Sequence, residues 1–207
     1  YNVIKNLVRF LDDKGSNTKI IFEKYLNRSE SGRPWLQKID GKYYNPEVFD
    51  HFLFYFFIEN SIQNEKNLIF IGDGSGHLSN IILEHGNFNS ATFIDFPHFL
   101  GKQFIQNHIT KTPKKYITPS MANTFYFQKE SVIINQDSFS EMPINSLRSY
   151  LKLVTDGYVD KIYSYNKFDH TDGHVNFTKE IHSVGLKSSF LCPSPFRDGF
   201  YLEIYSK

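Results

Sequence analysis

The twenty residues from Asn67 to Gly86, NLIFIGDGSGHLSNIILEHG, decide how this chain folds. An apolar run, Leu68 to Ile71, is the length of one buried strand. Gly72, Gly74 and Gly76 follow at alternate positions, and Leu78, Ile81 and Ile82 then recur at helical spacing up to Gly86. Strand, glycine turn and helix together form a device for holding a nucleotide-like cofactor. Glycines permit a tight turn and let a ligand lie against the backbone, and the helix start presents free amides. A dinucleotide fingerprint requires G-x-G-x-x-G, whose last glycine seats helix on strand while the amides face a pyrophosphate. Here that position is His77, and the spacing is G-x-G-x-G.

Outward from this turn the chain alternates. Strand-like runs are expected at Leu68–Ile71, Ala91–Ile94, Lys115–Thr118, Ser131–Asn135 and Lys161–Tyr165, with helices over 77–85, 97–108, 143–155 and 173–184. Such alternation implies right-handed crossovers and a parallel sheet covered on both faces. The last two runs, Lys187–Leu191 and Phe200–Tyr205, are joined only by CPSPFRDG, too short for a crossover helix. They form a hairpin. The expected fold class is therefore α/β and Rossmann-like: a mostly parallel seven-stranded sheet with a C-terminal antiparallel hairpin and helices on both faces. Residues 1–66 read instead as an N-terminal helical cap. Helices are expected near 1–13 and 18–26, with a linker over NRSESGRPWLQKIDGKYYNP. A third helix begins at Pro46 behind an Asn45 cap, with Phe49, Phe52, Leu53, Phe56 and Phe57 on its buried face. The division expected is 1–66 cap and 67–207 cofactor domain.

Composition bounds the partners. At 207 residues the chain suits one domain with a sizeable core plus a small cap, and an apolar fraction of 40% excludes a disordered tail protein. A net charge of +1 with short basic runs offers no phosphate-tracking stripe, so nucleic acid is not expected as a partner. One cysteine, Cys192, rules out an internal disulfide or a cysteine-built zinc site and suits a reducing, cytoplasmic compartment. The longest apolar run, Val48 to Ile58, is too short to span a bilayer, and no signal peptide is visible. The opening on Tyr1 is what a fragment, or one domain of a longer chain, would show.

Two further clusters carry chemistry. The second strand closes on Asp95 in ATFIDFP, where an ionised carboxylate can accept two hydrogen bonds from ribose hydroxyls. The strand of SVIINQDSFSEMP emerges into Asn135, Gln136, Asp137, Ser138 and Glu141, and ligands of open α/β sheets sit outside the carboxyl ends of the strands. The G-x-G-x-G spacing resembles the first motif of S-adenosylmethionine-dependent methyltransferases. That cofactor has no pyrophosphate, so the loop need only approach its methionine portion. Such enzymes usually carry an acid two positions before the first glycine. Here Phe70 stands in that place, and Asp73 inside the turn is the residue able to take part of its role.

FIDFPHFL, INQDSFSEM, YLKLV and IYSYNKF occur in this order over residues 68–207. In these runs the chain resembles the sugar O-methyltransferase family of bacterial surface-polysaccharide gene clusters. The resemblance implies methyl transfer from S-adenosylmethionine to a hydroxyl of a small-molecule or glycan acceptor. Gly72, Asp73, Gly74, Ser75, Gly76, Asp95, Phe96, Asn135 and Gln136 would then line the cofactor. A hydroxyl must lose its proton as the bond forms, so a base is needed; Asp137, Glu141 and His170 are the candidates. The bland alternatives are that Asp137 caps a turn and Glu141 holds loop amides. In KFDHTDGH, Asp169, His170, Asp172 and His174 suit a histidine–carboxylate base, a plain turn, or a divalent metal such as magnesium, although nothing in the sequence requires a metal. Trp35, Tyr43, Tyr44, Phe196 and Arg197 are candidates for contact with a sugar. Two alternatives remain open: a methyltransferase acting on another small hydroxylated metabolite, and a domain that kept the fold but lost catalysis.

Overall fold

The computed structural model describes residues 37–39, 42–44, 46–167, 176–194 and 197–207, with side chains from Asp50 onward. Contacts divide the chain into two compact units, Tyr1–Phe57 and Ile58–Lys207. In the first, strands β1 (Gln37–Ile39) and β2 (Lys42–Tyr44) pair antiparallel. This small hairpin lies in the segment expected to be a linker. Its strands are too short for a period-2 signal, and the cue available was the Asp40-Gly41 dipeptide between them. The helices expected at 1–13 and 18–26 lie outside the described residues. Helix α1 (Pro46–Ile62) begins at the expected proline. Phe52, Leu53, Phe54 and Tyr55 are all buried, whereas Phe57 is 37% exposed. A continuous aromatic run defines no stripe, so periodicity could not choose its buried face.

The second unit holds the seven-stranded sheet. Its strands are β3 (Asn67–Ile71), β4 (Ser90–Ile94), β5 (Lys114–Ile117), β6 (Ser131–Gln136), β7 (Val159–Lys167), β8 (Lys187–Pro193) and β9 (Phe200–Ser206). The spatial order is β5-β4-β3-β6-β7-β9-β8. From β5 through β7 every pairing is parallel, and β9 lies antiparallel between β7 and β8. This is the architecture expected from the sequence. The chain winds outward from β3 to β5, then returns to start β6 on the other side of β3, so β3 and β6 flank the switch point where such sheets bind ligands.

Helices α2 (His77–His85), α3 (Pro97–Asn107), α4 (Ile144–Thr155) and α5 (Phe177–Ser183) cover the faces. Strand alternation sorts the packing. Ile69, Ile71 and Ile133 join Leu147, Leu151 and Val154 of α4 and Phe177 and Ile181 of α5 in one core. Phe70, one residue out of phase, faces the opposite layer. There it stacks on Phe93 with ring centroids 5.1 Å apart, and Phe93 stacks on Tyr116 at 4.8 Å. Phe104 of α3 meets Tyr116 edge-on at 5.7 Å. Each fully buried side chain of this size contributes about 1.5–3 kcal/mol. Among the described residues, no helix is long and apolar enough to cross a membrane.

Candidate active site

The three glycines of the turn between β3 and α2 serve three different ends. Gly72 has φ +67°, and its amide continues the sheet by donating to the Ile94 carbonyl at 3.0 Å. A methyl group there would overlap the Ser138 side chain, so Gly72 lets the β6 loop close over the turn. Gly76 precedes α2, and a Cβ on it would press on Gln103 Cα at 3.0 Å and Asn107 Nδ2 at 3.2 Å. It seats α2 against α3. Gly74 alone has open space beside it, with no atom within 4 Å of an added Cβ. A ligand can reach the backbone there.

Asp95, directly after β4, is 7% exposed and joins this turn to α3. Its Oδ2 accepts from Gly74 N at 3.2 Å and from Gln103 Nε2 at 2.8 Å, and its Oδ1 accepts from Phe96 N at 2.8 Å. Burial raises the carboxyl above the usual range, and these three donors pull it back. Gln103 also donates to the Gly74 carbonyl at 3.1 Å. Sequence reasoning missed Gln103. Its signal is a glutamine on the buried side of an amphipathic helix, one turn before the equally buried Asn107.

Asp73 does not face the ligand side of the turn. Its carboxylate points toward the start of α2, where Oδ1 accepts from Ser79 N at 3.4 Å and the buried Oδ2 has no partner among the described residues. Burial pushes its pKa up to about 7, against the opposing bonds from Ser79, and nearby Asp95 adds to the rise. Phe70, in the position where the resembling enzymes carry an acid, is sealed in the aromatic stack described above.

On the other side of the switch point, β6 ends at Gln136 and the chain turns through Asp137, which has φ +65°. A non-glycine residue there is strained by roughly 1–2 kcal/mol. The turn is held by Asp137 N donating to Tyr165 O at 2.8 Å and by the amides of Glu141 and Met142 donating to Ser138 O. Asp137 Oδ2 pairs with Arg197 Nη1 at 2.5 Å, and the guanidinium lies over the Phe200 ring, 3.5 Å from its centroid. Arg197 comes from the terminal hairpin, sixty residues away in the chain.

These two sides bound a cavity of about 550 Å³, a size suited to a small-molecule ligand. Gly72, Gly74, Asp95 and Phe96 line one part, and Gln136, Asp137, Ser138 and Glu141 the other. Phe99, Pro119, Met142 and Tyr150, none of them singled out from sequence, supply apolar wall. Of the expected residues, Ser75 and Gly76 are not in the lining. Asn135 is fully buried one layer behind it, its amide donating to Ile71 O at 2.8 Å. His170, with Asp169, Asp172 and His174, lies outside the described residues, as do Trp35 and Phe196. Tyr43 and Tyr44 lie on β2, in the other compact unit. Among the described residues no group of three or more histidine, cysteine or acidic side chains converges as a metal site would require.

Three features of the lining bear on S-adenosylmethionine. Gln136 Oε1 is buried at the cavity with no partner among the described residues, an acceptor awaiting a donor. Gly74 offers open backbone, and Asp95 closes the neighbouring strand. The residues present fit that cofactor.

Sheet order and terminal hairpin together give a Rossmann-like fold, a mostly parallel seven-stranded sheet closed by an antiparallel hairpin, which solved methyltransferases share. Solved structures agree at the level of fold. A candidate RNA methyltransferase from Pyrococcus horikoshii superposes with a TM-score of 0.64 at 13% identity, covering 93% of this chain and 97% of that one. The N-methyltransferase NodS from Bradyrhizobium japonicum, solved with S-adenosylhomocysteine, gives 0.63 at 16% identity, covering 93% and 99%. A candidate O-methyltransferase from Nostoc punctiforme gives 0.61 at 11% identity, covering 77% of this chain and 56% of that chain. No family model matches the sequence, and neither does any curated protein.

Proposed function

We propose that this chain is an S-adenosylmethionine-dependent O-methyltransferase whose acceptor is a hydroxyl of a sugar or glycoconjugate, as in surface-polysaccharide biosynthesis. One observation carries the reading. A single cavity is bounded by the glycine turn and Asp95 on one side and by the carboxylates of Asp137 and Glu141 on the other. Gly72 and Gly74 would admit the methionine portion, Asp95 would accept from the ribose, and Phe96 and Gln136 would flank the nucleoside. When bound, that cofactor supplies an electrophilic methyl on a sulfonium. The residues of this chain orient the acceptor in line and receive its proton. Positioning supplies on the order of 7–11 kcal/mol in ideal geometry, and a placed base roughly 10²–10⁴-fold in rate. Asp137 and Glu141 are the bases within the described cavity, and His170 is the third candidate. The sugar acceptor rests on the INQDSFSEM and IYSYNKF runs.

A second reading, a binding domain without catalysis, is favoured by two features: Phe70 in place of the usual acid, and the engagement of Asp137 by Arg197.

Thermal unfolding with ligands tests the cofactor. S-adenosylmethionine and S-adenosylhomocysteine are expected to stabilise the protein by about 2.7 kcal/mol at a hundredfold excess over Kd, and NAD not at all. Asp95→Ala is expected to abolish the response. A chain indifferent to both sulfur ligands, or one stabilised by NAD, overturns the proposal. Methyl transfer to nucleotide-sugar acceptors, assayed with Asp137→Asn and Glu141→Gln, then separates enzyme from binding domain and picks the base.

A further inference from the structure

Behind the cavity lie two fully buried asparagines, Asn135 at the end of β6 and Asn166 at the end of β7, both 0% exposed. They belong to the INQDSF and YSYN runs, and the fold brings them into contact. Asn166 Nδ2 donates to Asn135 Oδ1 at 2.8 Å and to Ser164 Oγ at 2.8 Å. Asn166 Oδ1 accepts from Phe139 N at 3.1 Å and from Ser140 N at 3.4 Å, and Asn135 Oδ1 also accepts from Phe139 N at 3.1 Å. Asn135 Nδ2 donates to Ser138 Oγ and to the Ile71 carbonyl, which Ser138 Oγ also approaches at 3.2 Å. Every amide hydrogen of both side chains is committed.

The partners explain the arrangement. Ile71 is the last residue before the glycine turn. Phe139 and Ser140 lie between Asp137 and Glu141 on the turn that brings both carboxylates to the cavity. One amide network therefore ties the cofactor side of the site to its acceptor side. It also holds the turn that keeps Asp137 at its left-handed φ. A loop meant only to connect β6 to α4 has no need of two buried amides, each of which would cost about 1–3 kcal/mol if left unpaired.

We infer that Asn135 and Asn166 are positioning residues that fix the distance between the transferred methyl group and the acceptor-side carboxylates. The inference rests on the methyltransferase reading above. Methyl transfer needs donor and acceptor aligned at near-contact distance, and misplacement of about 1 Å can cost a hundredfold. A network anchored on Ile71 at one end and on Phe139 and Ser140 at the other sets that distance.

The test uses two probes, S-adenosylhomocysteine and sinefungin, the analogue in which an amine-bearing carbon replaces the sulfonium, so that its amine stands where the methyl would be. If the carboxylates are held at the methyl position, sinefungin binds the unmodified protein at least about tenfold tighter than S-adenosylhomocysteine, the worth of one charge-assisted hydrogen bond. Asn166→Ala is expected to remove that preference while S-adenosylhomocysteine affinity changes less than about threefold. Ser164→Ala, which removes one anchor of Asn166, is expected to give an intermediate loss and serves if Asn166→Ala does not fold. In an Asp137→Ala, Glu141→Ala background, which has lost the preference already, Asn166→Ala is expected to change nothing further. Equal weakening of both ligands, an unchanged preference in a folded variant, or no preference in the unmodified protein overturns the inference. Failure of both probes to bind the unmodified protein is a different result and overturns the methyltransferase reading itself.

Discussion

The two sides of the cavity are built differently. The side proposed to hold the cofactor is local: thirty-two residues, Gly72 to Gln103, supply the turn, Asp95, the amides that hold it and the glutamine behind it. The side proposed to face the acceptor is assembled from afar, with Asp137 meeting Arg197 across sixty residues and Asn135 meeting Asn166 across thirty-one. Backbone amides do most of the work on the first side, and side-chain charge and amides on the second. Structural neighbours named for RNA, N- and O-methyl transfer share this sheet.

The largest effect that can break this contrast comes from Gly72, where the two sides touch. Gly72→Ala combines a left-handed φ with overlap on Ser138, and is expected to cost roughly 3–4 kcal/mol in denaturant unfolding and to weaken S-adenosylhomocysteine binding. A loss below about 1 kcal/mol would show that the β6 loop is not locked to the turn.

Next comes Asp73, which belongs to the cofactor side but not to its ligand. Its folded-state pKa of about 7 lies above the unfolded value of about 4, so the native state retains a proton that the unfolded state has lost. Its contribution is full below pH 4 and disappears as pH rises through 7. Asp73→Asn is therefore expected to stay close to the unmodified protein at pH 4 and exceed it by roughly 3–4 kcal/mol at pH 8, measured by urea unfolding. Equal stability at both pH values would show the carboxyl to be solvated.

The smallest effect should fall on the acceptor side. Arg197 and Asp137 are each about one-third exposed. Arg197→Ala is expected to cost less than about 1 kcal/mol of stability, counting ion pair and ring contact, and to leave S-adenosylhomocysteine affinity unchanged within error. A large drop in cofactor affinity would mean that the two sides are not separable.

Much of the fold was legible because strands and helices announce themselves by period. The helix expected over 77–85 spans His77–His85, and the hairpin followed from a connection too short for a crossover. The β1–β2 hairpin escaped because three-residue strands have no period. In the site, Gly74 and Asp95 were legible as turn and strand end, whereas Gln103 and the apolar wall of Phe99, Met142 and Tyr150 look in sequence like ordinary helix and loop residues. Asn135 stands next to Gln136, and no pattern tells which of two adjacent polar residues turns inward. Pleating settles it: Asn135 is sealed in the layer behind the cavity while Gln136 reaches the lining.

By itself the sequence determined the alternation of strand and helix, the glycine turn that opens the site and the carboxylate that closes the next strand. These rest on backbone geometry and near-neighbour spacing, which the order of residues specifies directly. Only the tertiary structure decided that Asp73 turns away from the cavity, that Arg197 reaches Asp137, and that two distant asparagines meet behind both. Those outcomes depend on which strands lie side by side and how closely their loops pack.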